Sequence, residues 1–548
     1  MPLAIKNLKF KRLWVLRPRQ SFYNLMIWLS FVLQGGNLEI NASKSNQNFV
    51  VFVSHDHSVS TWESFNDLKP TKNLNELSAR GVFFTNAFCS NGNSGPGSAT
   101  ILTGKHAHGH GLVINGQTFK NNQVTIPKIL GKKNYDSAVF GRWDLKTEPT
   151  EFSHWEVLAN SNEFYNPTFI SKDGKRQIEG HSTDIITDIL IQWIKQRENT
   201  DKPFLAIVFY NGTQRPWMPS LRQLETFNDI LLPEPISLYS EQKNLAPASR
   251  YQQNEIQYDL NLTNDLFLGG VDKKLVNDLG NTTIYQQNLA NMNEEQLSSW
   301  QLLWRPRNEA YLRNVPTNEE LLRWKYQRFA KNYLRCIADI DENIGRFKSF
   351  YEKFSSQKCI FIYTANQGRF IGENGWFGSQ WMMEKSIRIP LIISALNIHS
   401  FPTKTITEDV QDIDIAPTII SLIDGSQFND SHGLPLNLND WNSSEVKQRE
   451  ALYFHNYNFP NSTMVAKHNG IRTKLFKLIH YYQFGEWELF DLIDDPNEQK
   501  NQADLNNHTK ELKLKLSNIE KEIGDHAEKA LMPEKWRRIY RGPSARNK

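Results

Sequence analysis

The chain has 548 residues, a length that allows a large buried core and more than one domain. Its hydrophobic content of 39% and charged content of 22% are ordinary for a globular protein. The formal net charge of +4 is small for this length, so the composition gives no support for a nucleic-acid partner. Three cysteines are too few for a disulfide framework, and at least one of them is unpaired.

The first 42 residues have the composition of a targeting segment. Basic residues between Lys6 and Arg19 precede an apolar run from Phe22 to Leu33, and two glycines follow. This order is typical of a secretory signal peptide, because a membrane span needs about 20 apolar residues. We therefore expect a secreted or periplasmic protein without a membrane span after cleavage. An uncleaved membrane anchor is the alternative.

Short apolar segments alternate with helical patterns through residues 43–430, which predicts an α/β domain with buried strands. The predicted strands are Asn48–Ser54, Asp136–Gly141, Pro203–Phe209, Cys359–Thr364 and Ile387–Ser394, and the predicted helices are Thr71–Arg80, Val124–Lys133, Gly180–Gln196 and Leu321–Phe350. Residues 231–314 are polar and rich in Asn and Gln, so we expect an irregular insertion of loops and short helices there.

The pattern changes in residues 431–548. Four short segments with hairpin-like spacing predict a small antiparallel sheet, and Lys510–Ile523 is expected to form a charged helix after them. We therefore expect a C-terminal α+β subdomain. The strands are predicted at Ala451–Asn456, Gly470–Thr473, Lys477–Tyr481 and Trp487–Asp491.

Polar residues follow two of the buried strands directly. His55, Asp56 and His57 come after the first strand, and Asn366 and Gln367 come after the strand that begins at Cys359. Ligands of open α/β sheets bind beyond the carboxyl ends of the strands, so these residues are candidates for a site. Residues of one strand alternate between its faces, so all three of the first group are not expected to converge on one ligand.

The stretch from Phe84 to Gly111 is rich in small residues and histidines, and we expect it to form a loop at the top of the sheet. Its segment SGPGSATILTG, from Ser94 to Gly104, resembles the signature of the type I sulfatases, which begins with Cys or Ser and continues Pro, Ser, Arg and later Leu, Thr, Gly. In that family the first residue is oxidised to formylglycine, whose hydrate attacks the sulfate ester. Ser94 has that position here, but Ser98 replaces the arginine.

The resemblance runs from about Asn48 to Asp525 and is strongest to the subfamily of N-acetylglucosamine-6-sulfatases and iduronate-2-sulfatases. It implies an alkaline-phosphatase-like three-layer α/β sandwich with a mixed central sheet, plus a small C-terminal antiparallel sheet. It also implies that His106, His108 and His110 lie on a rim loop of the pocket, rather than forming a metal cluster.

The resemblance places a metal site at His55, Asp56, Asn366 and Gln367. The family binds Ca²⁺ there with three aspartates, of which only Asp56 is present. Ca²⁺ takes six to eight oxygen ligands, and carboxylates set its affinity, so we expect no metal or a weakly bound one. Two alternatives are a hydrogen-bonded strand end without metal and a transition metal such as Zn²⁺ bound through His55 and Asp56.

The positions that contact sulfate in the family are mostly substituted as well. Arg142 and Asp144 stand where the family has Lys and His, Gln214 replaces a His, and Ser379 replaces a Lys. Glutamine does not titrate and cannot act as a general acid. Of all these positions only Arg142 remains cationic, although such cations supply much of the catalysis of ester cleavage.

His455 and His480 lie where relatives line the substrate subsites, so a contact with sugar is expected there, with structural histidines as the alternative. Together these features favour an exported member of the sulfatase family that binds sulfated oligo- or polysaccharide and is catalytically inactive or strongly impaired. The first alternative is an active carbohydrate sulfatase with a Ser94-derived formylglycine and a divalent metal. The second is a hydrolase of another ester with another metal.

Overall fold

The computed structural model describes residues 47–268, 283–439, 449–505 and 507–541. An eleven-stranded mixed sheet runs through the centre, in the order β10-β2-β9-β8-β1-β7-β3-β4-β5-β6, with β11 also paired to β2. Its strands are β1 Asn48–Ser54, β2 Val82–Phe88, β3 Asp136–Gly141, β4 His154–Leu158, β5 Thr168–Ser171, β6 Gly174–Gln177, β7 Phe204–Tyr210, β8 Cys359–Ala365, β9 Arg388–Leu396, β10 Lys404–Ile406 and β11 Val410–Gln411.

Strand β1 shows why the sheet has helices on both faces. Every residue of NFVVFVS is buried, although successive side chains of a strand point to opposite faces. Phe49, Val51 and Val53 belong to one hydrophobic core, whereas Val50 and Phe52 belong to another. A strand that is apolar on both sides must be covered twice, and the predicted three-layer α/β architecture is confirmed.

Fifteen α-helices occur in the described ranges. They are α1 Ser60–Glu63, α2 Lys72–Ala79, α3 Ser94–Thr103, α4 Ala107–His110, α5 Ile126–Lys132, α6 Ser182–Lys195, α7 Pro247–Arg250, α8 Ile256–Asp259, α9 Ile284–Asn291, α10 Glu294–Arg313, α11 Asn318–Phe354, α12 Glu384–Ile387, α13 Ile415–Asp424, α14 Thr509–Ile523 and α15 Glu534–Arg541.

Helix α11 covers one face of the sheet and is longer than the predicted Leu321–Phe350. It contributes Ile340, Ile344 and Phe347 to the same core as Val50 of β1, and Cys336 is buried on it. The predicted helices α2, α5 and α6 are present within two residues of their expected bounds. The periodic apolar pattern of these segments therefore identified the helical layer.

The Asn- and Gln-rich insertion is more regular than expected. Its end forms the 20-residue helix α10, where only short helices were predicted. Asn293 caps this helix, and Gln296 completes a capping box with it. Trp300 and Trp304 are buried on α10 in a separate hydrophobic cluster. The cap and the buried tryptophans explain the stability of a helix in so polar a segment.

The C-terminal part contains the expected four-stranded antiparallel sheet, in the order β12-β13-β14-β15. Its strands are β12 Leu452–Asn456, β13 His468–Arg472, β14 Phe476–Tyr481 and β15 Glu486–Asp491. Helix α14 packs on it through Leu512 and Leu516. The backbone N–H of His455 in β12 donates to the carbonyl of Ser90, next to the start of α3. The domain boundary near residue 430 remains a prediction.

The predicted signal peptide lies outside the described residues. Among the helices that are described, none is long and apolar enough to cross a membrane. The three cysteines, Cys89, Cys336 and Cys359, are all buried and unpaired, as expected from a chain without a disulfide framework.

Candidate functional site at the carboxyl edge of the sheet

Four neighbouring parallel strands, β8, β1, β7 and β3, end at the same edge of the sheet. The chain continues from these ends into His55, Arg142 and Asn366, and into Gln214 four residues after β7. Because the carboxyl ends of parallel strands converge, residues far apart in sequence meet in one place. The predicted site residues that follow these strands are thus brought to a common edge.

Ser94 is the first residue of helix α3 and not part of a loop, which corrects the expectation for this stretch. Only 3% of the residue is exposed, and all ten residues of α3 are buried. A Cβ atom on Gly97 would lie 3.0 Å from the carbonyl oxygen of Asn366, so the first turn of α3 approaches the end of β8 closely. The glycines allow this approach, which the loop prediction did not anticipate.

Arg142 is the centre of a polar cluster around Ser94. Its Nε donates to Asp144 Oδ2 at 2.5 Å, one Nη donates to Gln214 Oε1, and the other donates to Ser94 Oγ at 3.1 Å. Asp144, which stands where the family has a histidine, pairs with the arginine. The positive charge at this position is therefore largely neutralised from within the protein.

The other contacts of this cluster are amide groups. Ser94 Oγ lies 3.5 Å from Asn115 Oδ1. Asn115 Oδ1 also accepts a hydrogen bond from the backbone N–H of Gly95 at 2.8 Å. The Gln214 amide donates to Asn162 Oδ1. Neither a guanidinium nor an amide can take a proton from the serine hydroxyl at neutral pH. The contacts hold Ser94 in place without activating it.

The second cluster surrounds Asp56, which is 1% exposed. Its Oδ1 accepts a hydrogen bond from the Gln367 amide, and its Oδ2 accepts one from Arg369 Nη2. Its backbone N–H donates to Asn366 Oδ1 at 3.3 Å, and His55 Nδ1 lies 3.3 Å from Oδ2. We call Asp56, Arg369, Gln367, Asn366 and His55 the Asp56 centre.

Arg369 was missed in the sequence analysis. It is buried, its Nη1 donates to the carbonyl of Phe377 at 2.5 Å, and its guanidinium carbon lies 5.4 Å from the centre of the Trp217 ring. An arginine two residues beyond the Asn366-Gln367 pair was a visible signal, because a charged residue just after a buried strand needs a partner. The direction of its side chain depends on the loop that Phe377 closes, and no spacing reveals that.

Burial, followed by the positive charges of Arg142 and Arg369, lowers the pKa of His55 well below its ordinary value. His57 points elsewhere, to the Tyr363 hydroxyl at 2.7 Å and the Thr61 hydroxyl at 3.0 Å. Burial lowers the pKa of His57 to about 3. As expected from strand geometry, the three residues after β1 do not converge on one ligand.

The arrangement does not fit the family's calcium ion. The single carboxylate of the Asp56 centre is paired to a guanidinium and an amide, and Gln367 directs its NH₂ group towards it. Ca²⁺ requires these oxygens as ligands. Among the residues that are described, no group of three or more His, Cys, Asp or Glu could hold a metal ion. The zinc alternative at His55 and Asp56 and the rim position of His106, His108 and His110 stay predictions.

The remaining substituted positions, Ser98 and Ser379, are both buried. Ser98 lies one helical turn after Ser94 on α3, so its side chain shares a face with it. Their predicted link to catalysis stays a prediction of the resemblance. Both positions offer hydroxyl groups where the family has a permanent positive charge.

His455 does not have the exposure that a sugar contact requires, contrary to the expectation. It is 1% exposed, its Nδ1 lies 2.7 Å from Asp525 Oδ2, and its Nε2 lies 3.1 Å from the Tyr482 hydroxyl. His480 is partly exposed and stacks on Trp487, with 3.7 Å between the ring centres. Its contact with sugar remains a prediction.

Comparison with known proteins shows which families this chain resembles. The family model described as "Sulfatase" matches residues 47–426, and a model described as "N-sulphoglucosamine sulphohydrolase, C-terminal" matches residues 372–523. The N-acetylglucosamine-6-O-sulfatase of Bacteroides thetaiotaomicron is 33% identical over 497 residues, which are 87% of each chain. The human N-acetylglucosamine-6-sulfatase is 25% identical over 232 residues, which are 37% of this chain and 41% of the human protein.

A solved structure with a TM-score of 0.83 and 32% identity covers 88% of this chain and 99% of its own. It is described as a complex with its substrate D-glucosamine-2-N,6-O-disulfate. The phosphonate monoester hydrolase of Agrobacterium radiobacter shares the fold, with a TM-score of 0.61, 16% identity, and coverage of 88% of this chain and 97% of its own.

Proposed function

Because the chain belongs to the sulfatase family, we propose that it binds sulfated carbohydrate at Ser94 and Arg142 and has largely or wholly lost the hydrolysis of sulfate esters. The observation that carries this proposal is internal charge pairing. Arg142 is paired with Asp144, and Asp56 is paired with Arg369. Catalysis of ester cleavage needs cations directed at the charge that develops on the sulfate. Both arginines are instead paired with carboxylates of the protein.

The nucleophile supports the same conclusion. Ser94 contacts a guanidinium and an amide, so none of these partners can act as its base. An unactivated serine hydroxyl is a weak nucleophile. Oxidation to formylglycine depends in this family on a signature that contains arginine, and Ser98 replaces it. The leaving group also lacks an acid, because the Gln214 amide cannot transfer a proton to the leaving oxygen at neutral pH, as a protonated histidine would.

Binding does not need this chemistry. A guanidinium has five N–H donors, and the contacts of Arg142 with Asp144, Gln214 and Ser94 use three of them. Within the described part of the chain, two N–H groups are thus left for a sulfate oxygen. The relatives are named for, or described with, sulfated glucosamine, so we propose a 6-sulfated glucosamine unit as the ligand.

We also propose that the protein is exported. The basic and apolar order of residues 1–42 supports this location. A secreted or periplasmic place would expose the protein to extracellular sulfated polysaccharide.

The second candidate is an active carbohydrate sulfatase. One observation favours it: Ser94 lies at the start of a buried helix, 3.1 Å from Arg142 Nη2, where an attacking oxygen would meet a cation. If a maturing enzyme accepts Ser98 in the signature, the aldehyde hydrate could be a nucleophile there. The metal ion that the family resemblance implies would still lack its ligands at the Asp56 centre.

Sulfate release and sugar binding separate the two candidates. Glucosamine 6-sulfate, glucosamine 2-N,6-O-disulfate and unsulfated glucosamine are incubated with the full chain, and free sulfate is measured by ion chromatography. We expect no release, together with calorimetric binding of the sulfated sugars alone. The matched variants are Ser94→Ala, which removes the hydroxyl and should keep most of the affinity that Arg142 supplies, and Arg142→Gln, which should remove binding. Turnover that Ser94→Ala abolishes would establish the active enzyme, and absence of binding to every sugar would end the binding proposal.

A further inference from the structure

The Asp56 centre contains a positive charge at the place where the family has a metal. Arg369 Nη2 donates to Asp56 Oδ2, and Nη1 donates to the carbonyl of Phe377 at 2.5 Å. The guanidinium is also 5.4 Å from the Trp217 ring, a distance at which an aromatic face attracts a cation. Three separate contacts therefore fix this arginine in the buried pocket.

The neighbouring groups are oriented for a guanidinium and not for a metal ion. Gln367 donates its NH₂ group to Asp56 Oδ1, so the oxygen that could bind a cation is turned away, and this Oε1 has no hydrogen-bond partner within the described ranges. Asn366 Oδ1 already accepts the backbone N–H of Asp56. Each oxygen that would coordinate calcium is either engaged by an N–H or directed elsewhere.

Asp56 has a left-handed backbone conformation in this arrangement. Its φ of +50° lies in a region that non-glycine residues seldom adopt, although aspartate adopts it more readily than most. The Tyr333 hydroxyl supplies support by donating to the Asp56 carbonyl at 2.9 Å. The carboxylate is thus held in a fixed direction, towards Arg369, before any ligand is bound.

We propose that the Arg369 guanidinium is the fixed cation of this pocket, that it replaces the divalent metal at Asp56, and that the protein works without metal. A buried carboxylate requires a partner of opposite charge or several hydrogen bonds. Arg369 supplies that charge permanently, so removal of free metal leaves the pocket unchanged. A calcium ion would have to displace the guanidinium from both Asp56 and Phe377.

The first test uses the unaltered full chain. After dialysis against a chelating resin, its metal content is measured by mass spectrometry, and its melting temperature is recorded with EDTA and with a calcium series. We expect substoichiometric metal and equal melting temperatures, because a ligand that does not bind the folded state does not stabilise it. Stoichiometric calcium that is lost in Asp56→Asn would overturn the inference.

The second test restores the metal ligands. The double variant Arg369→Met, Asn366→Asp removes the guanidinium and adds a carboxylate beside Asp56. We expect calcium to raise its melting temperature, and the same double variant with Asp56→Asn as matched control should not respond. Arg369→Lys, which keeps a positive charge, should stay insensitive to calcium. If the double variant folds and ignores calcium, the guanidinium is not what excludes the ion, and the inference fails.

A third test measures ligand binding. Its choice of sugar rests on the proposed function. Calorimetric affinity for glucosamine 6-sulfate should be equal in EDTA and in calcium, and a tenfold loss in EDTA would contradict the fixed cation. The two ideas fail separately. Sulfate release in EDTA would contradict the proposed loss of catalysis and would be compatible with Arg369 as the fixed cation. Bound calcium without turnover would contradict the fixed cation and would be compatible with the loss of catalysis.

Discussion

Two buried aspartates, Asp56 and Asp525, are held by different means. Asp56 is paired with the guanidinium of Arg369 and the amide of Gln367 at the edge of the large sheet. Asp525 follows helix α14, which packs on the C-terminal sheet, and accepts hydrogen bonds from His455, from the Tyr453 hydroxyl at 2.5 Å and from the Tyr457 hydroxyl at 2.8 Å. The Asp56 carboxylate is paired with a permanent positive charge. The Asp525 carboxylate is stabilised by a histidine, which titrates, and by neutral tyrosine hydroxyls.

This difference has a consequence for each region. Burial opposes the charge of Asp525, but the hydrogen bonds and the charge of His455, with the tyrosine hydroxyls, lower the pKa of its carboxyl overall. Burial lowers the pKa of His455 to about 4, against the opposing effect of Asp525. The Asp525 cluster, which we define as Asp525, His455, Tyr453 and Tyr457, should therefore respond to acid, whereas the ion pair of Asp56 should respond to loss of its partner.

The largest effect is expected from Arg369→Met. It leaves the Asp56 carboxylate buried without its cation, and breaking such a pair costs about 3–5 kcal/mol. Urea denaturation should show this loss in the free energy of unfolding. The matched double variant Arg369→Met, Asp56→Asn carries no unpaired charge and should recover most of it. Equal stability of the single variant and the unaltered chain would mean that Asp56 does not depend on Arg369.

The second effect is acid destabilisation through His455. Its pKa is lower in the folded protein than the ordinary 6.5, so as pH falls the unfolded chain takes up the proton first. The titration of His455 therefore leaves the free energy of unfolding unchanged above about pH 6.5. Between pH 6.5 and about 4 it lowers that free energy by about 3 kcal/mol. Buried His468, with a pKa lowered to about 3, adds a loss in the same direction.

Denaturation at several pH values measures this slope. His455→Gln keeps an amide donor for Asp525 and does not titrate, so its stability should fall less steeply between pH 6.5 and 4. Asp525 itself contributes a loss only at lower pH, because its lowered pKa lies below the ordinary 3.8. An unchanged slope in the variant would show that His455 does not govern the acid response of this region.

A smaller loss of stability is expected when Tyr457 or Tyr482 loses its hydroxyl. The two variants compare a hydrogen bond to a charged carboxylate with one to a neutral imidazole. The Tyr457 hydroxyl donates to the Asp525 carboxylate, and the Tyr482 hydroxyl contacts the His455 ring at 3.1 Å. Tyr457→Phe should cost about 1.5–3 kcal/mol and Tyr482→Phe about 0.5–1.5 kcal/mol, since hydrogen bonds to charged groups are stronger. The reverse order in thermal unfolding would indicate that Asp525 is protonated in the folded protein.

The smallest effect concerns ligand affinity at the large sheet. Asp144→Asn removes the charge that pairs with Arg142, so more of the guanidinium charge is available for a sulfate. We expect affinity for glucosamine 6-sulfate to rise about tenfold, which is about 1.4 kcal/mol. Adding Arg142→Gln should cancel this gain. A loss of affinity in Asp144→Asn would mean that Asp144 positions Arg142 instead of competing with the ligand.

Much of the fold could be predicted from the sequence, because burial on both faces leaves a continuous apolar strand. The bounds of β1 and β3 are those predicted, and β8 is one residue longer than predicted. Helix α10 was missed in the polar insertion, although the capping box of Asn293 and Gln296 was a readable signal. Ser94 was assigned to a loop because glycine and proline after it outweighed the helical pattern of the following residues.

Most members of the site could be predicted, but Arg369 and the contacts within the site could not. Spacing and resemblance placed Asp56, Asn366 and Gln367 together, yet they did not show that Arg369 pairs with the carboxylate. His455 was expected at the sugar because of its position in the family resemblance, and its contact with Asp525, 70 residues later, could not be recognised from the sequence. Side-chain direction depends on tertiary neighbours, which no local pattern records.

The chemical state of Ser94 tests the loss of catalysis most directly. The protein is isolated from its native host, and the peptide that spans Ser94 is measured by mass spectrometry. An unmodified serine is the predicted result, because Ser98 interrupts the signature and the contacts of Ser94 do not activate it. The mass of the aldehyde would contradict it and establish that this pocket carries the nucleophile of an active sulfatase.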